Sequence, residues 1–223
     1  MSSNWKETRQ RARSPQEKRF RRDSLIDAAT ALLEDVDPNS LTMARIAERA
    51  GISKGTAYLY FSSKEAIELF VLLRLLAEWG DEIRRCLKAS KVSEPAQRYS
   101  AIFASTLSQH ALLRSLLSQL HVQLEPNASY EEIERFKIEL AEWLKALARL
   151  MSEDLKIEES QALRIVLQAH ALAIGVGQMS NPSIEAQKVM SDIADLAFMD
   201  VDFEPFYEAA LSDLFDGQLS KIS

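Results

Sequence analysis

The sequence predicts an all-α protein in which a small N-terminal unit of three helices precedes a larger helical domain. Two observations favour this fold class. Glycine and proline are sparse, at six residues each among 223. Apolar residues recur at spacings of three and four almost throughout, and the alternation typical of strands is hard to find. Independently of the fold class, a hydrophobic content of 47% is enough for the chain to bury a sizeable core.

The first helix is predicted from Ser14 and Glu17. A serine followed three residues later by a glutamate forms a capping box, and Pro15 suits the first helical position because no backbone N–H is left unpaired there. We expect this helix to end near Asp35. Its apolar face comprises Leu25, Ile26, Ala29, Leu32 and Leu33.

Two short helices joined by a glycine turn follow. Thr42 can cap a helix that runs to Ala50, and Gly51 supplies the left-handed conformation that is common after helix ends. Ser53 can cap a second helix of about seven residues. The pattern is that of a helix-turn-helix, with which many proteins read DNA, although helical proteins that never touch DNA also contain it.

A long fourth helix is predicted after this pair. Ser62 and Glu65 repeat the capping-box spacing, and apolar residues at helical intervals continue to about Ala89. Further apolar stripes predict more helices within residues 99–107, 112–124, 133–151, 162–177 and 203–215.

Charge is distributed unevenly along the chain. The formal net charge of −6 argues by itself against binding to nucleic acid. Residues 1–64, however, hold twelve Lys or Arg against eight Asp or Glu, a balance of +4, and the remainder carries −10. Such a chain can offer DNA only its basic end, because phosphate repels the acidic part. The alternative is a chance asymmetry of an ordinary solvated surface.

Residues 42–65 resemble a known family. Their pattern, T-x-x-x-I-A-x-x-A-G-I-S-K-G-T-x-Y-x-Y-F-x-S-K-E, is similar to that of the TetR (tetracycline-repressor-like) bacterial regulators. With the preceding helix the resemblance covers about 50 residues from Ser14. It implies that the second short helix enters the major groove and that the fourth helix links it to a ligand-binding body. It also implies that the last two helices form a homodimer.

Candidate DNA contacts lie in and around the second short helix. Gly55 has no side chain, so the positive end of the helix dipole can approach a phosphate closely. Lys54 adds a cation and Thr56 adds a hydroxyl donor. For Lys54 the alternative is a solvated surface charge.

The family resemblance adds four candidates. It assigns Thr42, Tyr60 and Lys64 to the phosphate backbone and Tyr58 to base edges or sugar. The alternatives are packing of both tyrosines against the first helix and a solvated charge at Lys64.

Arg45, on the first helix of the pair, is the best candidate for a base contact. An arginine can donate two hydrogen bonds to the edge of a guanine. A surface ion pair with Glu48 or Glu34 is the alternative.

Residues 1–13 are predicted to be a flexible basic arm, because they offer too little apolar surface to fold. Such an arm can follow the phosphates or enter a minor groove, and a solubilising tail is the alternative. The predicted domains are this arm, a helix-turn-helix DNA-binding domain at 14–64 and a helical regulatory domain at 65–223, which binds ligand and forms the dimer.

The dimer implied by the resemblance has candidates on the last two helices. Small residues within 162–177 permit close helix approach, and the last helix has a strongly apolar face that needs a cover. A second copy can supply the cover, and packing onto its own chain is the alternative. The interface candidates are Ala169, Ala173, Gly177, Phe203, Phe206, Tyr207, Ala210, Leu211 and Leu214.

A small-molecule effector is the least defined partner. Aromatic residues and a few polar anchors can form pocket walls, although each of them can also be a core residue. They favour a largely apolar or aromatic molecule; a cation and the absence of any ligand are the alternatives. The candidates are Trp79, Phe103, His110, Gln119, His121, Phe136, Trp143 and His170.

Other classes of function lack sequence support. Cys86 is the only cysteine, so an intrachain disulfide and a cysteine zinc site cannot form. Three scattered histidines give no metal spacing, and no phosphate loop, nucleophile elbow or serine triad context predicts an enzyme or a cofactor. No apolar run has the length of a membrane span or a secretory signal, which predicts a cytoplasmic protein without membrane contact.

These patterns predict a homodimeric transcription regulator. Two recognition helices related by a two-fold axis require an inverted-repeat operator in double-stranded DNA. A ligand that prefers one separation of the two helices then changes DNA affinity. Repression is what the resemblance implies. The alternative is a nonspecific or architectural DNA-binding helical protein without an inducer.

Overall fold

The computed structural model describes residues 14–35 and 40–220, and every regular element within them is helical, so the all-α prediction is confirmed. The α-helices are α1 (Pro15–Asp35), α2 (Met43–Arg49), α3 (Lys54–Ala57), α4 (Lys64–Ala89), α5 (Pro95–Gln109), α6 (Ala111–Gln119), α7 (Tyr130–Leu155), α8 (Glu159–Met179), α9 (Ile184–Asp192) and α10 (Phe203–Leu219). A π-helical turn at Leu120–Leu124 and 3₁₀ turns at Glu125–Asn127 and Ala194–Met199 lie between them. The predicted basic arm falls outside the described residues.

Helices α1, α2 and α3 form the head. The capping box of α1 is present: the Ser14 N–H donates to the Glu17 carboxylate at 3.2 Å, and the Glu17 N–H donates to Ser14 Oγ at 3.1 Å. Thr42 caps α2, because its side chain accepts a hydrogen bond from the Arg45 N–H. The core of the head contains the buried side chains of Leu25, Ala29, Ile46, Ala57 and Phe61.

The second helix of the pair is shorter than predicted. Only Lys54–Ala57 is α-helical, and tight backbone turns continue from there to Phe61, whose N–H donates to the Ala57 carbonyl at 3.2 Å. The Phe61 ring is buried and lies edge-on to Phe70, 5.7 Å between ring centroids. Burial of this ring turns the chain inward before a seventh helical residue can form.

The cap of α4 is also displaced from its predicted position. The side chain of Ser63, not that of Ser62, accepts the hydrogen bond from the Ala66 N–H. Ser62 instead donates hydrogen bonds from its N–H and its hydroxyl to the carboxylate of Glu132, a residue of α7 that is distant in sequence. The local capping-box spacing predicted the helix correctly but not which serine caps it.

The turn between α2 and α3 requires a glycine. Gly51 has a φ of 68°, in the left-handed region, and an added Cβ would meet no atom within 4 Å. We expect Gly51→Ala to lower the free energy of unfolding by about 1 kcal/mol, from backbone strain alone. Urea unfolding measures this loss. Gly217→Ala, at a helical glycine with equally open space, should not destabilise the protein.

Helix α4 joins the head to the body, which comprises α5–α10. The helix contacts α1 of the head as well as α5, α6 and α7 of the body. Within the body, α10 packs along α5 and α8, and α8 packs on α6 and α7. Rings of α5 and α10 form the centre of this packing, with 5.4 Å between the ring centroids of Tyr99 and Phe215.

Helices α8 and α9 differ in how many of their residues are buried. Among the described residues, α8 is long and apolar enough to cross a membrane by length and composition. Its Ile165, Val166 and Ala169 are buried in the protein. Helix α9 has no buried residue. The sequence analysis did not predict this helix.

Candidate nucleic-acid interface and effector pocket

The exposed residues of α3 form a small surface with little side-chain bulk. Ser53 caps α3, and its hydroxyl also lies 2.8 Å from the hydroxyl of Thr56. Lys54 and Gly55 are exposed, and an added Cβ at Gly55 would meet no protein atom within 4 Å. The backbone at the start of α3 is therefore open to a phosphate group.

The residues after α3 present aromatic and apolar side chains. Tyr58 is 49% exposed, with the Lys54 ammonium 5.9 Å from its ring centroid, whereas Tyr60 is half-buried against the core. Leu59, between them, is 74% exposed. Sequence reasoning missed this residue; a large apolar side chain in a helix-turn-helix segment can contact a thymine methyl group. Its position between two candidate tyrosines was the available signal.

The charged groups of Arg45 and Lys64 both interact with other residues of the same chain. The Arg45 guanidinium donates to the carbonyl and the hydroxyl of Ser40, at 3.2 and 3.3 Å. The partner is thus on the preceding loop, and neither glutamate considered from the sequence takes that place. The ammonium of Lys64 lies 3.5 Å from the carboxylate of the buried Glu68 and 3.8 Å from that of Glu65.

Glu68 explains the position of Lys64. Burial raises the pKa of Glu68 to about 7, and the Lys64 ammonium opposes this increase. Lys64 therefore stabilises the ionised form of a carboxylate inside the protein. A phosphate contact by the same ammonium would compete with that ion pair.

Helix α4 and the body line a narrow apolar cavity of about 20 Å³, which is room for one water molecule. It brings together four of the eight predicted pocket residues: Trp79, Phe103, Trp143 and His170. The indoles of Trp79 and Trp143 are stacked with 5.9 Å between centroids. The remaining wall residues are Leu76, Leu117, Leu144, Leu147, Val166, Ala169, Ala173 and Tyr207, most of which carry no sequence signal beyond ordinary core packing.

Two polar side chains line the cavity. The Tyr207 hydroxyl donates to the Ala169 carbonyl at 3.0 Å. His170 makes no hydrogen bond to the part of the chain that the structure describes. Burial, and then the positive charges of His121 and Lys137, lower the pKa of His170 to about 4. Its imidazole is therefore neutral at pH 7 and has polar nitrogens to offer to a ligand.

The other four pocket candidates do not line this cavity. His110 lies 2.6 Å from the Glu82 carboxylate, and His121 lies 3.3 Å from that of Glu125. Gln119 donates to the hydroxyl of Ser115. Phe136 is wholly buried in the core. These side chains have local partners or packing, which the residue types alone could not reveal.

The residues predicted for the dimer face differ in how far they are covered within a single chain. Six of its nine residues are already covered within the chain, because α10 packs along α5 and α8 lies between its neighbours. An added Cβ at Gly177, for example, would lie 2.8 Å from Ser118 Oγ. The six covered residues are Ala169, Ala173, Gly177, Phe203, Tyr207 and Leu211.

An uncovered apolar face remains on the opposite sides of α8 and α10. Phe206 is 46% exposed and Leu167 is 48% exposed. Ala210 and Leu214 of α10 are partly exposed, and Ala171 of α8 is exposed. We call these five residues the α8–α10 face. Three of them, Phe206, Ala210 and Leu214, belong to the predicted set.

Two family models match the chain. The model described as "Bacterial regulatory proteins, tetR family" matches residues 25–69, and the model described as "Tetracyclin repressor-like, C-terminal domain" matches residues 73–221. The first contains the helix-turn-helix, and the second contains every wall residue of the cavity and the whole α8–α10 face. Together they extend the sequence resemblance from the head to the body.

Individual proteins show the same likeness. An uncharacterised HTH-type transcriptional regulator of Mycobacterium tuberculosis is 39% identical over 85 residues, 38% of this chain and 41% of that protein. BetI of Brucella suis, an HTH-type transcriptional regulator, is 28% identical over 183 residues, 80% of this chain and 85% of BetI. For the relatives that are 36–39% identical, the chain spans only about two fifths of their length.

A solved structure supports the fold across both the head and the body. The structure of a TetR transcriptional regulator from Rhodococcus sp. RHA1 matches with a TM-score of 0.61 and 20% identity, covering 93% of this chain and 100% of that one. The match to the C-terminal family model covers well over half of the sequence. The chain therefore belongs to the TetR family of bacterial regulatory proteins.

Proposed function

We propose that the protein is a sequence-specific, DNA-binding transcription repressor that acts in the cytoplasm as a homodimer and is released from its operator by a small apolar molecule. The observation that supports this most strongly is the position of α4. The helix begins directly after residues 42–61, which we call the DNA-reading segment, and its Leu76 and Trp79 are walls of the apolar cavity. One helix therefore contacts both sites.

The α8–α10 face is proposed as the dimer interface. Its five residues are apolar, and two large side chains among them are about half exposed. Exposed apolar side chains on neighbouring helices are suited to contact with another molecule. A second copy fits because both helices can pack against their two-fold mates as a four-helix bundle.

The effector is proposed to be a neutral apolar or aromatic molecule. The cavity walls carry no Asp, Glu, Lys or Arg, which disfavours the cation considered from the sequence. His170 offers the ligand a neutral polar group. Because the cavity holds only about one water, the ligand must displace side chains and so favour a second conformation.

Selection of bound sites from a random DNA library, at two salt concentrations, tests the DNA-binding function. We expect an enriched inverted repeat, bound on the order of 10³-fold more tightly than random DNA. Binding without enrichment that disappears at the higher salt would instead show the alternative, a nonspecific or architectural DNA-binding protein.

Trp143→Leu tests the effector pocket. The smaller side chain removes part of the stack with Trp79 and leaves room that a ligand otherwise has to open. We expect the neutral fluorescent probe N-phenyl-1-naphthylamine to bind about tenfold more tightly to this variant, because less rearrangement opposes binding. The titration follows the increase in probe fluorescence.

Tyr130→Leu is the matched control for this variant. Tyr130 is an exposed aromatic residue of the same helix, α7, and does not line the cavity. Probe affinity should be unchanged in this control. Equal gains in both variants would place the probe outside the proposed pocket.

A further inference from the structure

One carboxylate of the body holds the turn that follows the DNA-reading segment. Glu132, in the first turn of α7, accepts a hydrogen bond from the Ser62 N–H at 2.9 Å, and its second oxygen accepts from the Ser62 hydroxyl. The Ser129 N–H donates to the same second oxygen at 2.9 Å, as part of the capping box of α7. Glu132 is only 8% exposed, so these bonds are shielded from water.

Arg22 fixes the same turn from the other side. Its guanidinium donates to the Tyr60 carbonyl at 2.7 Å and lies 4.1 Å from the ring centroid of Phe61. Residues 60–62 are thus held between α1 of the head and α7 of the body. A movement of α7 relative to α1 must therefore strain or move this turn.

The far part of the same α7 face lines the effector pocket. Glu132 and Trp143 are eleven positions apart, which is close to three full turns and brings both side chains to one side of the helix. Phe136 and Leu140 lie between them on that side and are buried. Leu147, one turn further, is also a cavity wall. A side chain displaced at Trp143 pushes on a helix whose other end holds Ser62.

Charge keeps this connection intact near neutral pH. Burial would raise the pKa of Glu132, but hydrogen bonds from Ser62 and Ser129 outweigh burial and lower it. The carboxylate therefore stays ionised, and hydrogen bonds to an ionised group are stronger than those between neutral groups.

We propose that Glu132 is a positioning residue, which transmits the displacement of α7 by a pocket ligand to the DNA-reading segment through its hydrogen bonds to Ser62. The inference deepens the proposed function and depends on it. Neither Glu132 nor Ser62 needs to touch the ligand. The two residues are seventy positions apart in sequence, in different domains, and the fold alone brings them together.

A purely structural role for Glu132 makes a different prediction. As the N3 residue of a capping box it stabilises α7, and its loss would then lower stability without changing the response to a ligand. Ser62→Ala separates the two roles, because it removes one donor to Glu132 and leaves the Ser129–Glu132 capping box complete.

The experiment measures coupling between the pocket and the operator. Operator affinity is measured with and without saturating N-phenyl-1-naphthylamine, in the unmodified protein and in Glu132→Gln and Ser62→Ala. We expect the probe to weaken operator binding by about tenfold in the unmodified protein, a typical allosteric coupling. In Glu132→Gln the factor should fall below about twofold while probe affinity stays the same, and Ser62→Ala should give an intermediate factor.

Glu131→Gln is the matched control, since Glu131 is an exposed carboxylate in the same first turn of α7. It changes the same charge and should retain the full coupling. Full coupling in both Glu132→Gln and Ser62→Ala would overturn the inference and leave the proposed effector response standing. If the probe leaves the operator affinity of the unmodified protein unchanged, both the proposed effector response and this inference are overturned.

Discussion

Gly55→Glu should remove operator binding and leave the fold unchanged. The start of α3 has no side chain at this position, and a new Cβ would meet no protein atom within 4 Å. A glutamate there places a carboxylate where the helix start would otherwise face a phosphate. Like charges in contact cost several kcal/mol, so we expect at least about a 100-fold loss of operator affinity.

Fluorescence anisotropy with the selected operator measures this loss, and thermal unfolding checks the fold. Ser93→Glu is the control, because it adds the same charge at an exposed position between α4 and α5. Gly55→Ala should lose less affinity than Gly55→Glu, since a methyl group adds bulk without charge. If Gly55→Glu binds the operator as tightly as Ser93→Glu does, α3 is not the element that approaches DNA.

Phe206→Glu should separate the dimer. Phe206 is the largest side chain of the α8–α10 face, and 46% of its surface is exposed in a single chain. In a two-fold interface each substitution is present twice, so two carboxylates enter one apolar contact. Burial of unpaired charge costs several kcal/mol, and we expect the dimer dissociation constant to rise at least about 100-fold.

Sedimentation velocity measures the dissociation constant, and the same protein is then titrated with operator. Operator affinity should fall as well, because one head can occupy only one half-site. Ile138→Glu is the control: Ile138 is an apolar residue of α7 that is 56% exposed and lies outside the α8–α10 face. Dimer loss in both variants, or in neither, would assign the interface to another surface.

The amino-acid sequence determined the elements whose signals are local. The start of α1 depends on Ser14 and Glu17, and the turn after α2 depends on Gly51, whose positive φ requires a glycine. Each of these signals involves residues within four positions of one another. The family resemblance was also visible in the sequence, because the motif that carries it is confined to residues 42–65.

The tertiary structure decided which apolar faces are covered and which distant residues meet. Helical periodicity placed Phe203, Phe206 and Tyr207 on one apolar face of the last helix. In the structure Phe203 and Tyr207 pack within the chain, whereas Phe206 is partly exposed. Periodicity reports the spacing of a face and not the identity of its neighbour. The cavity walls come from several helices, and the bonds between Ser62 and Glu132 join residues seventy positions apart. Contacts of this kind depend on how the helices pack, which no local pattern encodes.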